Sequence, residues 1–276
     1  MHMMQPFNEC PAERLTNLLG VLTDIDDTLT TNGRITADAY CALEQIHDAG
    51  LILIPITGRP AGWCDHIARM WPVDAVVGEN GAFWFRYDDR ARRMVRRFMR
   101  PDSEWQADRK RLEAVAAQVL RDVPGTALAS DQGYRAVDLA IDFCEDVPPL
   151  GPDKVAQIVA AFEAAGATAK VSSIHVNAWY GDHDKLSTSL HLLREVFGID
   201  GAAERERMVY AGDSPNDAPM FGFFPNAVGV ANVRDFVGRM SALPAYVTRG
   251  RSAEGFAELA ELLTAARAVA GTPELG

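Results

Sequence analysis

Asp24 and Asp26 stand two residues apart at the end of a short apolar run, residues 18–22, and Asp27, Thr28 and Thr30 follow them. Carboxylates at that spacing can hold a divalent cation and share a reaction, one as nucleophile and one as acid/base. The plainer alternative is a turn in which Asp26, Asp27 and Thr28 cap a helix. Three later stretches bear on the choice. A second apolar run, residues 51–56, ends in Thr57-Gly58-Arg59-Pro60. Lys185 opens a helical stretch directly after Asp184. A third run, residues 208–211, ends in Gly212-Asp213-Ser214-Pro215-Asn216-Asp217. Taken singly, Thr57 is a strand-end hydroxyl, Lys185 a solvated first-turn lysine and Gly212-Asp213 a turn. In an open α/β sheet, however, ligands sit beyond the carboxyl ends of the strands, so tips far apart in sequence can share one edge.

The elements between these tips supply that edge. Thr36 reads as an N-cap for a helix over residues 37–49, stopped by Gly50. A helix over 61–70 follows the second strand, and residues 75–77 form a third strand ending in Gly78-Glu79-Asn80-Gly81. Strand, helix, strand, helix, strand implies a parallel sheet with crossover helices. The texture then changes. Residues 83–85 and 94–99 read as strands joined by an arginine-rich turn, and a long helix runs to about residue 122. Residues 135–143 and 174–180 alternate as half-buried antiparallel strands do, with a helix over 153–165 between them. The parallel pattern returns with the helix from Lys185 to Phe197, the strand over 208–211, short strands near 227–230 and 245–247, and a closing helix over 253–268. The expected architecture is α/β: a Rossmann-like parallel-sheet core, residues 1–84 and 183–276, with an inserted α+β domain over 85–182.

Composition narrows the function classes. The 276-residue chain is 48% hydrophobic, enough for a sizeable core, and carries a net charge of −11. That balance opposes a general affinity for nucleic acid or acidic membranes, and no apolar run reaches membrane-spanning length. Cys10, Cys41, Cys64 and Cys144 are scattered, with neither zinc spacing nor secreted disulfide density. Residues 1–9 lack the layout of a secretory signal, so reduced thiols in a cytoplasmic protein are the expectation. A monomer is compatible with everything read here.

The ordered set Asp24-Ile25-Asp26-Asp27-Thr28, Thr57-Gly58-Arg59, Lys185 and Gly212-Asp213-Ser214-Pro215-Asn216-Asp217 resembles the haloacid dehalogenase (HAD) superfamily of phosphohydrolases. The likeness covers nearly the whole chain. The large insert, with Glu79-Asn80-Gly81-Ala82 before it, resembles subfamily IIB with a type C2 cap, the branch of the Cof-like, sucrose-phosphatase and mannosyl-3-phosphoglycerate phosphatase enzymes. Asp27 stands where many relatives carry glycine, and Leu186 follows the lysine where several do. The resemblance implies a small phosphorylated substrate, most plausibly a sugar phosphate, and an aspartyl-phosphate intermediate. Asp24 would attack phosphorus and Asp26 would serve as acid and then base. Mg²⁺ would be held by Asp24, the Asp26 backbone carbonyl and Asp213, with Asp217 binding or orienting it. Thr57, Gly58 and the backbone beyond them would contact phosphoryl oxygens, with Asn216 nearby, and Lys185 would face the developing negative charge. A phosphomannomutase-like mutase and a non-catalytic phosphosugar-binding protein are the rival functions.

Substrate choice would belong to the insert. His175, Asn177 and Trp179 lie on one side of the last alternating strand, with Tyr180, Asp182 and His183 after it. An indole beside amides and imidazoles suits a polyhydroxylated ligand; an ordinary solvent-facing sheet is the alternative. Arg59 could pair with a substrate anion or with a neighbouring carboxylate. The run Arg86, Arg90, Arg92, Arg93, Arg96, Arg97 and Arg100 reads as a solvated hairpin or as arginines turned towards an anionic substrate.

Overall fold

A computed structural model describes residues 4–270. The outermost positions of the expected core segments, and the first residues of the stretch read for a secretory signal, lie outside these. Six short parallel strands form the central sheet, in the order Gln5–Pro6, Tyr246–Val247, Asn226–Gly229, Met208–Gly212, Gly20–Thr23 and Ile52–Pro55. Val21 pairs with Val209 on one side and with Leu53 on the other. Strands buried on both faces read as unbroken apolar runs, which is how these three appear in the sequence. Their side chains alternate between two layers. Val21, Leu53 and Val209 meet Leu43, Ile46, Phe256 and Leu259 of the Ala37–Asp48 and Ser252–Ala270 helices. Leu22, Ile54 and Tyr210 meet Leu192, Leu193, Met220 and Phe221 on the other face.

The helix ends follow local chemistry. Thr36 accepts the Ala39 N–H at 3.2 Å, and Asp184 accepts that of Ser187 at 2.7 Å. The Lys185–Phe197 helix closes on Gly198 in the left-handed region.

The arginine-rich hairpin belongs to the core rather than to the insert's own sheet. A parallel bridge from Ile56 to Val77 extends the central sheet to Val76–Gly78, which pairs antiparallel with Phe83–Asp88 and, through it, with Arg93–Phe98. Phe83, Phe85 and Phe98 join one core layer, and Trp84, Val95 and Met99 the other. Arg96 pairs with Asp65 and Arg97 with Glu195, both on core helices, so these two arginines brace the flank of the core. Exchanging both for glutamate is expected to leave the ranking of substrates unchanged and to lower stability by about 1 kcal/mol or less, as exposed pairs do. A kinetic panel on the double variant checks this; a reordered panel would refute the assignment.

The inserted unit has a separate core. Thr168–Val171, His175–Trp179, Leu139–Asp142 and Ala127–Leu128 form an antiparallel sheet in that order, backed by the Asp102–Asp122 and Pro152–Ala164 helices. Leu112, Val119, Leu139, Ile141, Ile158, Phe162 and Val176 fill it. From this packing we infer that the insert begins near residue 101, not at 85. The alternation over residues 135–143 predicts one wet face, yet Leu139–Asp142 and His175–Trp179 are buried throughout. The face predicted to be wet lies against the core instead. Residues 135–138 are not strand at all but a bent connection.

Candidate active site

The carboxyl edge of the sheet brings the four tips together. The Asp24 N–H donates to the Ala211 carbonyl at 2.9 Å, and that of Ile56 to Thr23 at 2.7 Å, so neighbouring strands end level. Lys185 Nζ lies 2.6 Å from Asp24 Oδ1 and 2.8 Å from Asp217 Oδ1. Tyr210 adds its hydroxyl to the same Asp217 oxygen at 2.5 Å. Asp217 Oδ2 takes the N–H groups of Asp213 and Ser214, and only a glycine at 212 lets that carboxylate approach, since a Cβ there would lie 2.6 Å from Oδ2. The lysine is set by the Gly81 turn. Gly81 has φ +105° and sits so close to the Asp184 carbonyl that a Cβ would come within 2.1 Å. Its own carbonyl accepts Thr188 Oγ1 at 2.6 Å. The residues before the insert therefore seat the helix after it.

Asp24, Asp213 and Asp217 place carboxylate oxygens within 4.8 Å of one another, all buried. Three hard oxygen donors facing one lysine suit a small divalent cation. Asp213 makes the fit specific. Its Oδ2 accepts Asn232 Nδ2 at 3.0 Å, while its Oδ1 is buried with no partner. A buried bare carboxylate oxygen is costly and calls for a cation. Asp217 already accepts two donors on each oxygen, which suits it to shaping the loop, and the Asp26 side chain lies outside the cluster. Burial, with repulsion from Asp217 and Asp26 added, pushes the Asp24 carboxyl up to about 8 against the pull of Lys185. Burial and the same neighbours, Asp217 and Asp24, drive Asp213 up as well.

Asp26 turns to Arg59, whose Nε and Nη2 reach Asp26 Oδ1 at 2.9 and 2.8 Å. Arg59 answers the choice left open by its sequence: it pairs with carboxylates. Beyond Asp26 it meets Glu145 Oε1 at 2.8 Å and Asp131 at 3.5 Å, both from the insert, and stacks on Trp63. Glu145 also holds His175 Nε2 at 2.9 Å. Thr57 is fully buried, and its Oγ1 accepts the Arg59 N–H. Asp24, Asp26, Gly58, Arg59, Arg135, His175, Asn177, Ser214 and Asn216 line the cleft between insert and core. Trp179 does not. Its indole donates to the His183 carbonyl at 3.1 Å and stacks on the His183 ring, buried beside the return to the core.

The cleft is shut. Its volume is about 10 Å³, room for one water at most. Arg135 completes the closure: it binds Asp131 and Asp138 and donates to the Gly58 carbonyl at 2.9 Å. Glu79 anchors the far side, taking N–H groups from Ala61 of the core and from Ala136, Val137 and Asp138 of the insert. Glu79, Arg135, Glu145, Tyr210 and Asn232 are absent from the residues expected from sequence. Glu79, Arg135 and Tyr210 lay in stretches read there as elements, but without a role; Arg135 and Glu145 acquire theirs when insert and core meet.

The comparisons with known proteins agree with this geometry. The sequence model of the haloacid dehalogenase-like hydrolase family matches residues 21–102. No curated protein matches the chain. Among solved structures, a Thermoplasma acidophilum protein superposes with a TM-score of 0.66 at 18% identity, over 89% of this chain and 99% of its own. A putative HAD/COF-like hydrolase from Plasmodium vivax gives 0.62 at 16%, covering 92% and 98%. The sucrose-phosphatase of Synechocystis sp. PCC6803, solved with sucrose and phosphate, gives 0.61 at 14%, covering 90% and 98%. At these identities the structural likeness is one of fold.

Proposed function

We propose that this chain is a haloacid dehalogenase-like hydrolase with an inserted α+β cap, and that it is a Mg²⁺-dependent phosphatase of a small polyhydroxylated metabolite, a sugar phosphate. One observation carries the reading: Asp24 is held by Lys185 beside the unpartnered Asp213 Oδ1, beneath a cap face of guanidinium, imidazole and amide groups. Sucrose and phosphate in the structurally similar Synechocystis enzyme support the substrate class.

Asp24 and Asp213 would hold the ion, with Asp217 fixing their loop. Mg²⁺ would supply positive charge against the phosphoryl oxygens as Asp24 approaches. In the proposed reaction an Asp24 oxygen bonds to phosphorus as the phosphorus–alkoxide bond breaks, and Asp26 gives its proton to the leaving alkoxide. Asp26 then takes a proton from water, whose oxygen bonds to phosphorus and releases Asp24 and inorganic phosphate. Lys185 neutralises charge gathering on the transferred group. In the shut cleft Asp26 is held against Arg59. Loading substrate must lift the cap and break this contact, which frees Asp26 to face the leaving oxygen.

Phosphate release across a panel of sugar phosphates, with Mg²⁺ and with chelator, tests the reading. Metal-dependent release from a subset is expected. Isomerised sugar phosphate with little free phosphate would replace hydrolysis with a mutase, and saturable binding without turnover would replace catalysis with recognition. The latch makes a second prediction. His175 foremost, with Arg59, holds the Glu145 carboxyl down at about 2, against an ordinary value of 4.5. A depressed acid contributes its stability above the ordinary value and loses it as pH falls towards the folded one. The shut cap should therefore persist at pH 5 and loosen below about pH 3 to 4. Glu145→Gln is expected to favour the open form about fivefold at neutral pH, given a partly exposed pair worth about 1 kcal/mol. Small-angle scattering of the ligand-free protein reads this; identical radii for both proteins at both pH values would refute it.

A further inference from the structure

Two spaces flank the candidate metal site. One is the cap cleft, shut to about 10 Å³ and lined by Asp24 and Asp26 as well as by Arg59 and Arg135, but not by Asp213. The other is a side cavity of about 590 Å³ on the flank of the site. Its walls carry Asp27, Asp38, Asp213, Asp235 and Glu254 against a single cation, Arg251. Arg251 is half-exposed and paired with Asp235. Asp213 is the buried end of this space, 1% exposed, with Oδ1 unpartnered. Asn232 frames that end. Its amide nitrogen donates to Asp213 Oδ2 and to the Asp27 carbonyl, and its oxygen accepts the Ser252 N–H at 2.9 Å.

Electrostatics sorts the two routes. At the cap cleft the guanidiniums are paired with Asp26, Asp131, Asp138 and Glu145 and the space admits one water at most, whereas the side cavity is roomy and carries carboxylates in excess, which attract a metal cation and repel phosphate. We propose that the divalent cation reaches Asp213 through the side cavity while the cap is shut, and that Arg251 limits how fast it arrives. The proposal rests on the Mg²⁺ reading given above and adds a separation: the ion exchanges by one path, substrate and phosphate by the other. The acidic walls oppose loss of phosphate along the ion's path.

The test is the association rate of Mn²⁺ with the whole protein, followed by water-proton relaxation after rapid mixing, without substrate. Asp235→Asn with Glu254→Gln is expected to slow association about tenfold at low salt and to converge on wild type at high salt. Arg251→Gln is expected to speed it severalfold, and Arg97→Gln, which lines neither space, to leave it unchanged. An unchanged rate in the Asp235/Glu254 variant, or no faster one in Arg251→Gln, would overturn the side route while leaving the metal site intact. Failure of wild type to bind Mn²⁺ saturably would overturn the metal reading itself, and this route with it.

Discussion

Asp24→Asn is expected to lower turnover on the order of 10⁴-fold or more while leaving the metal-free fold at least as stable as wild type. The two effects share one cause. The side chain lies at the carboxyl end of the central strand, 5% exposed, with its Oδ1 on Lys185. Three buried carboxylates share that lysine, and burial lifts Asp24 to about 8 and Asp213 well above its ordinary range. Asparagine keeps an acceptor for Lys185, removes one charge from the crowd and cannot form the acyl phosphate. The sign of the pH dependence follows from the raised value. Between about pH 4 and pH 8 the folded metal-free chain binds more protons than the unfolded one, so wild type loses stability as pH rises. The variant lacks this contribution and should gain most over wild type near pH 8. A bound cation would take the proton's place, so Mg²⁺ should flatten the wild-type slope. Melting curves in chelator at pH 5 and pH 8, beside phosphate-release assays, read both effects. A variant that melts well below wild type at both pH values would show that Asp24 holds the strand end together and would remove this account of its activity loss.

The strand tips were legible in the sequence because each is a local event, an apolar run broken by polar residues. Asp24, Thr57, Lys185, Asp213 and Asp217 could be named from type, order and position at strand or helix ends. Parallel topology gathers Asp24, Asp213 and Asp217 at one edge, and the Gly81 turn brings Lys185 to them. Docking between insert and core was not legible in this way. Leu139–Asp142 and His175–Trp179 carry the alternation of a sheet wet on one face, and in isolation they would have one. The core covers that face through pairs joining residues far apart in the chain, Arg59 with Glu145 and Arg135 with Gly58. No window of sequence contains both partners. Trp179 shows the same limit. Alternation placed it with His175 and Asn177, but the return to the core at His183 covers it and removes it from the cleft. The arginine run left two readings open, a solvated hairpin or a shared anionic target, and the hairpin leaves Arg96 and Arg97 half-exposed and paired with Asp65 and Glu195 on different helices.

Glu79 is where that docking is most concentrated, and Glu79→Gln is expected to destabilise the protein nearly as much as Glu79→Ala. The side chain is fully buried at the end of the Val76–Gly78 strand. Oε1 accepts the N–H groups of Ala61 and Ala136 at 3.0 and 2.7 Å, and Oε2 those of Val137 and Asp138 at 2.6 and 2.9 Å. Four donors converge on two acceptors, so no neutral amide fits. A glutamine would turn an NH₂ towards two backbone N–H groups in either orientation. Alanine leaves all four donors without their acceptor. Each unsatisfied buried donor costs about 1–3 kcal/mol, and partial relaxation leaves a net loss of about 3–5 kcal/mol. For a chain of this size that is a fall in melting temperature of roughly 5–15 °C. Because three of the donors lie on the connection leading into the Leu139–Asp142 strand, the loss should fall first on cap docking. Limited proteolysis should cut near residues 135–138 well below the main unfolding transition, and turnover should drop even where the core remains folded. Aspartate, one methylene shorter, keeps both acceptors and should recover part of the stability. If Glu79→Gln melts with wild type, the ionised carboxylate is not what joins the two units. If Gln and Ala both melt low but turnover at 20 °C is intact, Glu79 supports the fold without setting the cap.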